Sequence, residues 1–242
     1  MDAYSRTRLL LGGDGMENLK NATVAVFGLG GVGGYVVEAL ARSGIGALEL
    51  VDHDTISLSN LNRQILATRD TVGCSKAETA AARVRSIDPE IAVTARTQFF
   101  GPDSLTDFDF SRYSYVVDAI DTVTCKLALI TAAQSAGVPI ISSMGTGNQL
   151  DPTAFRIGDI HETFVCPLAR IIRKECRKRG IRKLKVLYST EEPIFPQIPP
   201  EDPIWQELPQ GRNALPGSVA FVPAVAGLMI AGEVIKDIAF NR

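Results

Sequence analysis

The stretch from residue 24 to residue 64 constrains this chain most tightly. It opens VAVFGLGGVGG, passes through a helical segment, reaches LELVDHD at Asp52 and closes with SLSNLNRQ. Gly28, Gly30, Gly31 and Gly33 follow the β-branched run 23–27 and precede the helical pattern 32–43. The order is strand, tight turn, helix. Glycine lets the backbone turn sharply and approach a phosphate closely, and the amides of the new helix supply an anion site. By itself such a turn suits NAD, FAD or ATP equally. The polar residues downstream separate these readings and favour ATP.

Strands and helices alternate through the first part of the chain. Strand patterns fall at 23–27, 47–51, 91–97, 115–118 and 139–143. Helical patterns fall at 32–43, 74–86 and 124–136, the last stopped by Gly137. Short strands separated by helices predict an α/β fold, a Rossmann-like, mostly parallel sheet covered on both faces. Ligands in such folds bind at the carboxyl ends of the strands, where Gly28, Asp52 and Asp118 stand. After residue 150 the pattern changes. Additional strands are expected at 154–158 and 185–189, with a basic helix between them. A proline-rich surface loop, 193–216, carries the chain's one tryptophan, Trp205, and an apolar helix, 224–239, follows with Glu233, Lys236 and Asp237 on its wet side. A single domain is expected, with a nucleotide-binding half (1–150) and a substrate-facing and dimerisation half (151–242).

A length of 242 residues can bury a substantial core without covalent staples. The net charge of −2 gives no global field for nucleic acid, so any such site must be local. Cys74, Cys125, Cys166 and Cys176 form no CxxC pair, which argues against structural zinc. The opening MDAYSRTR is not a signal peptide, and the apolar tract 219–232 is broken by Pro223 and shorter than the roughly 20 residues a spanning helix needs. The expectation is a cytoplasmic protein with reduced thiols and no membrane association.

The candidate chemistry begins with Asp52, 24 positions after Gly28, where an acid can meet a ribose hydroxyl. The cluster Asn60-Leu61-Asn62-Arg63-Gln64 has no use in hydride transfer. A triphosphate needs it, because arginine and amide donors must match the phosphate charge. Lys76, opening the next helix, can act as a point charge on a phosphate. Asp118 and Asp121 form a DxxD after the fourth strand. A carboxylate there can hold magnesium, which prefers oxygen ligands, or can simply open a helix.

In this order the pieces resemble the adenylation domain of the ubiquitin-activating-enzyme-like (ThiF/MoeB-like) family. Its GxGGxG corresponds to Gly28-Leu29-Gly30-Gly31-Val32-Gly33, its DxD to Asp52-His53-Asp54, and its SNLxRQ to 59–64; Lys76 and Asp121 follow. The likeness spans residues 4–145. It implies ATP and Mg2+ as cofactors. Asp52 would hold the ribose, Asn60, Arg63 and Lys76 the phosphates, and Asp121 the metal, with Asp54, Gln64 and Asp118 beside them. It also implies a homodimer in which Arg6 completes the partner's site, with Arg8 as a nearby substitute. Members of the family join AMP to a carboxylate, which makes an unreactive acid open to attack.

Three later segments, CPLARIIRKECRKRGI, LYSTEEP and GSVAFVPAVAGLMIAGEVIKDI, are similar to a narrower group, the tRNA threonylcarbamoyladenosine dehydratases. That likeness implies as substrate a tRNA whose modified adenosine, beside the anticodon, carries a free threonyl carboxylate. Activation by ATP and attack by the neighbouring ureido group would close a ring with net loss of water. No acceptor thiol is needed. The group commonly has Asp where this chain has Cys166, which reads as a helix-start position.

Charge gives separate support for RNA. Between 170 and 185 the chain has Arg170, Arg173, Lys174, Arg177, Lys178, Arg179, Arg182, Lys183 and Lys185 against one acid, Glu175. Clustered cations neutralise phosphates and release counterions; a merely solvated helix face is the alternative. Cys176, among these cations, is either a thiol of lowered pKa or a small packing residue, and His161 reads as a surface or capping residue. Other functions remain open from the residues alone: activation of a ubiquitin-like sulfur carrier, a catalytically silent binding partner, or an NAD-dependent oxidoreductase. A sulfur-transfer protein is a further candidate partner.

Overall fold

β-branched and aliphatic runs form the strands of the computed structural model, which describes residues 2–195, 198–199, 201–202 and 216–241. Helix α1 (Ser5–Lys20) comes first, followed by β1 (Thr23–Phe27), α2 (Gly33–Ala41) and β2 (Ala47–Val51). Next come α3 (Lys76–Ile87), β3 (Ala92–Arg96), β4 (Tyr115–Asp118), α4 (Val123–Ser135) and β5 (Ile140–Ser143). The chain continues through β6 (Phe155–Asp159), α5 (Pro167–Lys178), β7 (Lys185–Ser189) and α6 (Phe221–Ala239). The greater part of the expected loop 193–216, Trp205 included, lies outside the described residues.

The strands form one seven-stranded sheet in the order β3-β2-β1-β4-β5-β7-β6. All neighbours are parallel except β6, which runs antiparallel to β7. The expected α/β sheet is therefore present, with the one antiparallel strand at its edge. Alternation along β1 sends Val24 and Val26 to one face and Ala25 and Phe27 to the other. On the first face they meet Val36 and Leu40 of α2, Ala80 of α3 and Ile230 of α6. On the second, Phe27 packs on Phe100 and Phe108, with ring centroids 4.8 and 5.3 Å away, backed by Leu129 and Ile130 of α4 and Ile172 of α5. Gly227 lets α6 lie against α2, because a Cβ there would sit 2.4 Å from the Val32 carbonyl oxygen.

Two elements differ from the sequence expectation. Helix α1 has no counterpart in the sequence pattern, since it is kinked at Gly12 (φ 75°) and buries only Gly15 and Leu19, so no apolar stripe marks it. The acids of α6 are not solvated as the pattern suggests. Asp237 is buried and accepts from the Tyr115 hydroxyl at 2.8 Å and from Lys185 Nζ at 2.6 Å. Glu233 accepts from Lys185 at 3.0 Å and from Lys236 at 2.8 Å. Burial, with Asp237 beside it, pushes the Tyr115 phenol far above its ordinary value. No described helix is long and apolar enough to cross a membrane.

The carboxyl ends of β4 and β5 are fastened by a charge in the core. Lys126 of α4 is fully buried, and its Nζ donates to Asp118 Oδ2 (2.8 Å), Ser142 Oγ (3.2 Å) and the Ser143 carbonyl (2.9 Å). Asp118 also accepts from Ser142 Oγ at 2.5 Å and from the Ile120 amide at 3.1 Å. Every partner is satisfied, which is what makes a buried pair tolerable. Lys126→Met would leave the Asp118 carboxylate buried and uncompensated. The expected loss of stability is about 3–5 kcal/mol, read from the urea midpoint. An unchanged midpoint would show that the pair contributes nothing.

Candidate active site

A cleft of about 390 Å³ opens at the carboxyl ends of β1, β2 and β4, where the strand order reverses. Its floor is the glycine turn. Gly28 has φ 87°, and a Cβ there would lie 2.6 Å from the Ala119 carbonyl oxygen. A Cβ on Gly33 would lie 1.8 Å from the Gly28 carbonyl oxygen, so only glycine lets α2 start this close to the turn. Gly28, Gly30 and Gly31 line the cleft, whereas Gly33 shapes it from behind.

The polar wall is a chain of hydrogen bonds. Asp52 Oδ2 accepts from the Leu29 amide at 2.7 Å and its Oδ1 from the Asp54 amide at 2.8 Å. Asp54 Oδ2 in turn holds buried Lys76 Nζ at 2.7 Å. Ser75 caps α3 by accepting from the Glu78 amide, which places Lys76 at the helix start. Asn60 is buried and accepts from the Ser57 amide at 3.2 Å. Arg63 Nη1 donates to the Ser59 carbonyl (2.9 Å) and to Asn62 Oδ1 (2.8 Å). Partial burial draws the Arg63 guanidinium below its ordinary value; a guanidinium stays charged at neutral pH all the same. Gln64 Oε1 is buried with no hydrogen-bond partner, and its residue lines the cleft. A buried carbonyl oxygen left unpaired in a cleft wall is an acceptor open to a water or a ligand donor.

Asp121 is exposed in the opposite wall, in the turn between β4 and α4, and Thr122 Oγ1 donates to it at 3.2 Å. The sequence expectation thus converges on one place for Gly28, Gly30, Gly31, Asp52, Asp54, Asn60, Arg63, Gln64, Lys76 and Asp121. Asp118 is a correction. It lies wholly buried beneath the cleft because Lys126 draws its carboxylate into the core. Arg6 lies exposed on α1, away from the cleft of its own chain.

Sequence reasoning missed several wall residues. His53 and Phe99 meet edge to face at 5.0 Å on the rim, while Thr146 after β5 and Ser218 before α6 also line the cleft. The one available signal was position: Gln98 and Phe99 come two and three residues after the end of β3, so they emerge at the same sheet edge as Asp52. Asp52, His53 and Asp54 bring three ligand atoms within 4.8 Å of one another, but Asp54 is committed to Lys76.

The basic helix divides in two. Arg173 donates to the Thr163 carbonyl and Oγ1 (2.5 and 2.6 Å). Lys178 and Arg179 both pair with Glu175, whose carboxyl they hold at about 2. Arg170, Lys174, Arg177, Arg182 and Lys183 are exposed, and among the described residues they make no ion pair. His161 Nε2 lies 3.0 Å from the Ile181 carbonyl, a structural contact.

Fold and cleft together define a doubly wound α/β protein whose ligand site combines an anion-binding glycine turn, cationic donors and an exposed carboxylate in the facing wall. The ThiF family model matches residues 4–240, and the chain belongs to that family. It is 42% identical to the tRNA threonylcarbamoyladenosine dehydratase of Bacillus subtilis over 97% of this chain and 94% of that one. It is 40% identical to the Escherichia coli enzyme of that name over 80% of this chain and 75% of the other. The crystal structure of the E. coli tRNA N6-threonylcarbamoyladenosine dehydratase in complex with ATP matches with a TM-score of 0.87 at 34% identity, covering 98% of this chain and 94% of that one.

The cysteines stay out of the cleft. Cys125, Cys166 and Cys176 are buried, and Cys166 stands at the helix-start position of α5. Of the two readings of Cys176, packing prevails, since burial pushes its thiol up to about 11 despite the neighbouring Arg179. Burial likewise raises Cys125. A disulfide reagent at pH 8 should therefore modify exposed Cys74 promptly and the other three thiols only on unfolding. Prompt labelling of Cys176, mapped by peptide mass, would contradict this.

Proposed function

We propose that this chain is an ATP-dependent tRNA threonylcarbamoyladenosine dehydratase, closing a ring on the modified adenosine beside the anticodon. One observation carries the reading. Residues from four separate segments, Asp52, Arg63, Lys76 and Asp121, face a single cleft at a glycine turn, and no described cysteine lines it. That arrangement suits activation of a carboxylate whose nucleophile is already part of the same molecule.

The amides of the glycine turn, Asn60, Arg63 and Lys76 bind the phosphates, and Asp52 orients the ribose. The unpaired Gln64 Oε1 can accept from a hydroxyl or amino group of the nucleotide, and Asp121 offers the oxygen ligand that would hold Mg2+, which would supply charge neutralisation at the phosphates. The threonyl carboxylate oxygen attacks the α-phosphorus. The bond to the β-phosphate oxygen breaks, pyrophosphate leaves, and a mixed anhydride with AMP results. Buried Lys76, fixed by Asp54, stabilises the charge that develops without reorganising. The ureido group then attacks the activated carbonyl, AMP departs with the former carboxylate oxygen, and the ureido proton is lost, so the tRNA has lost one water. Arg6, standing clear of its own cleft, is assigned to the partner's site in a homodimer. A cytoplasmic location is consistent with action on tRNA.

Incubation with ATP, magnesium and threonylcarbamoyladenosine-bearing tRNA should yield a nucleoside lighter by one water, and only when ATP is present. Asp121→Ala should abolish turnover. Mass loss without ATP, or full activity in that variant, would sink the reading. Replacing Arg170, Lys174, Arg177 and Arg182 by Ala should weaken tRNA binding and flatten its salt dependence by up to about 0.9 in log–log slope for each phosphate no longer neutralised. An unchanged slope would remove this helix face from the RNA site.

A further inference from the structure

A short strained turn joins the cleft to the cationic face of α5, and neither part accounts for it. Val165 has φ 63°, a left-handed conformation that a β-branched side chain rarely adopts. The Cys166 amide donates to the Phe164 carbonyl at 2.7 Å, so residues 164–166 close a γ-turn of the rarer, strained hand. Such backbone persists only where its surroundings over-determine it, and it clusters at functional sites. Here they do. Behind the turn, Arg173 grips Thr163 twice, and Thr163 Oγ1 donates to the Ile160 carbonyl at 2.7 Å. Ahead of it, buried Cys166 and half-buried Leu168 lie 3.9 Å from where a Cβ on Gly145 would stand.

The turn displays one side chain. Thr163 and Cys166 are 5% and 3% exposed, yet Phe164 between them is 55% exposed. Its ring meets Tyr188 edge to face at 5.8 Å, which fixes its orientation and leaves the remainder open. An isolated surface phenylalanine is ordinary; one presented by a strained turn that an arginine clamps is a built feature. Its position gives the occupant. Gly145, on which the turn rests, directly precedes Thr146 of the cleft wall. On the other side Pro167 starts α5, whose exposed Arg170, Lys174 and Arg177 recur at helical spacing.

We propose that Phe164 is a stacking platform for an unpaired nucleobase of the tRNA anticodon loop, holding the loop so that the modified adenosine enters the cleft. The proposal rests on the tRNA reading above. Bases splayed from single-stranded loops are bound by stacking on aromatic rings, while flanking cations take the phosphates.

The test compares wild type, Phe164→Ala and Phe164→Trp with modified tRNA, following turnover, ATP affinity and thermal stability. For Phe164→Ala the expected result is a rise in the KM for tRNA of roughly tenfold, with ATP affinity and melting temperature unchanged. Phe164→Trp should restore the KM. Stacking neutralises no phosphate, so the salt-dependence plot of Phe164→Ala should shift in parallel with that of wild type. A wild-type KM in Phe164→Ala, a changed slope, or an altered solution mass (which would assign the ring to contact between copies) overturns the stacking role while leaving the dehydratase reading intact. A wild-type protein that does not dehydrate the tRNA overturns both.

Discussion

The approach of Gly33 to the Gly28 carbonyl governs the nucleotide side of the molecule. Only there can α2 begin directly over the end of β1, and this closeness aims the Leu29 amide at Asp52. Asp52 shares its second oxygen with the Asp54 amide, and Asp54 holds Lys76 at the head of α3. A side chain at Gly33 would therefore do more than crowd the turn. It would displace the first member of a sequence of hydrogen bonds that ends at the lysine ammonium. The cationic donors are pre-positioned by backbone geometry, so little reorganisation is left for the moment when charge develops.

The opposite wall is set by a different device, a buried ion pair. Lys126 and Asp118 join the ends of β4 and β5 from below, and the two loops that emerge above them carry Asp121 and Thr146. The pair sits in the core, out of reach of a ligand in the cleft, so its contribution is to position these loops. The cost of burying two charges is offset by complete hydrogen bonding, including Ser142 and the Ser143 carbonyl. One wall is thus fixed by the absence of side chains and the other by a charge with no exposure to water.

The sheet was legible because strand and helix periods differ, and because glycine and proline punctuate the chain where elements end. Strands 23–27, 47–51, 115–118 and 185–189 fall where the pattern put them. Helix α1 was not legible: with three glycines and few buried residues it has no apolar stripe to read. Most cleft residues could be read from the motif order, but which of them the core draws inward could not. Asp118 and Asp121 are indistinguishable as a DxxD, and only Lys126, hidden inside an apolar helix, decides which of them turns inward. In the same way the charges of α6 read as a wet face until Tyr115 and Lys185 are seen to meet Asp237. Cys176 among its cationic neighbours left two readings open, and packing prevails because the helix turns it into the core, where desolvation outweighs them.

The same sorting explains how a chain of net charge −2 can present a cationic face. Several acids are committed locally to particular cations: Asp54 to Lys76, Glu175 to Lys178 and Arg179, and Glu233 with Asp237 to Lys185. What is left over along α5 and the turn after it is a small set of exposed cations, Arg170, Lys174, Arg177, Arg182 and Lys183. A strongly basic protein would hold any RNA, because phosphate attraction is blind to sequence. A few exposed cations on an otherwise acidic molecule give weaker electrostatic binding and leave discrimination to what lies beside them. On the tRNA reading proposed above, the aromatic ring on its strained turn and the glycine-turn cleft lie beside them, so selectivity for one loop can arise from shape and stacking, with charge supplying only the approach.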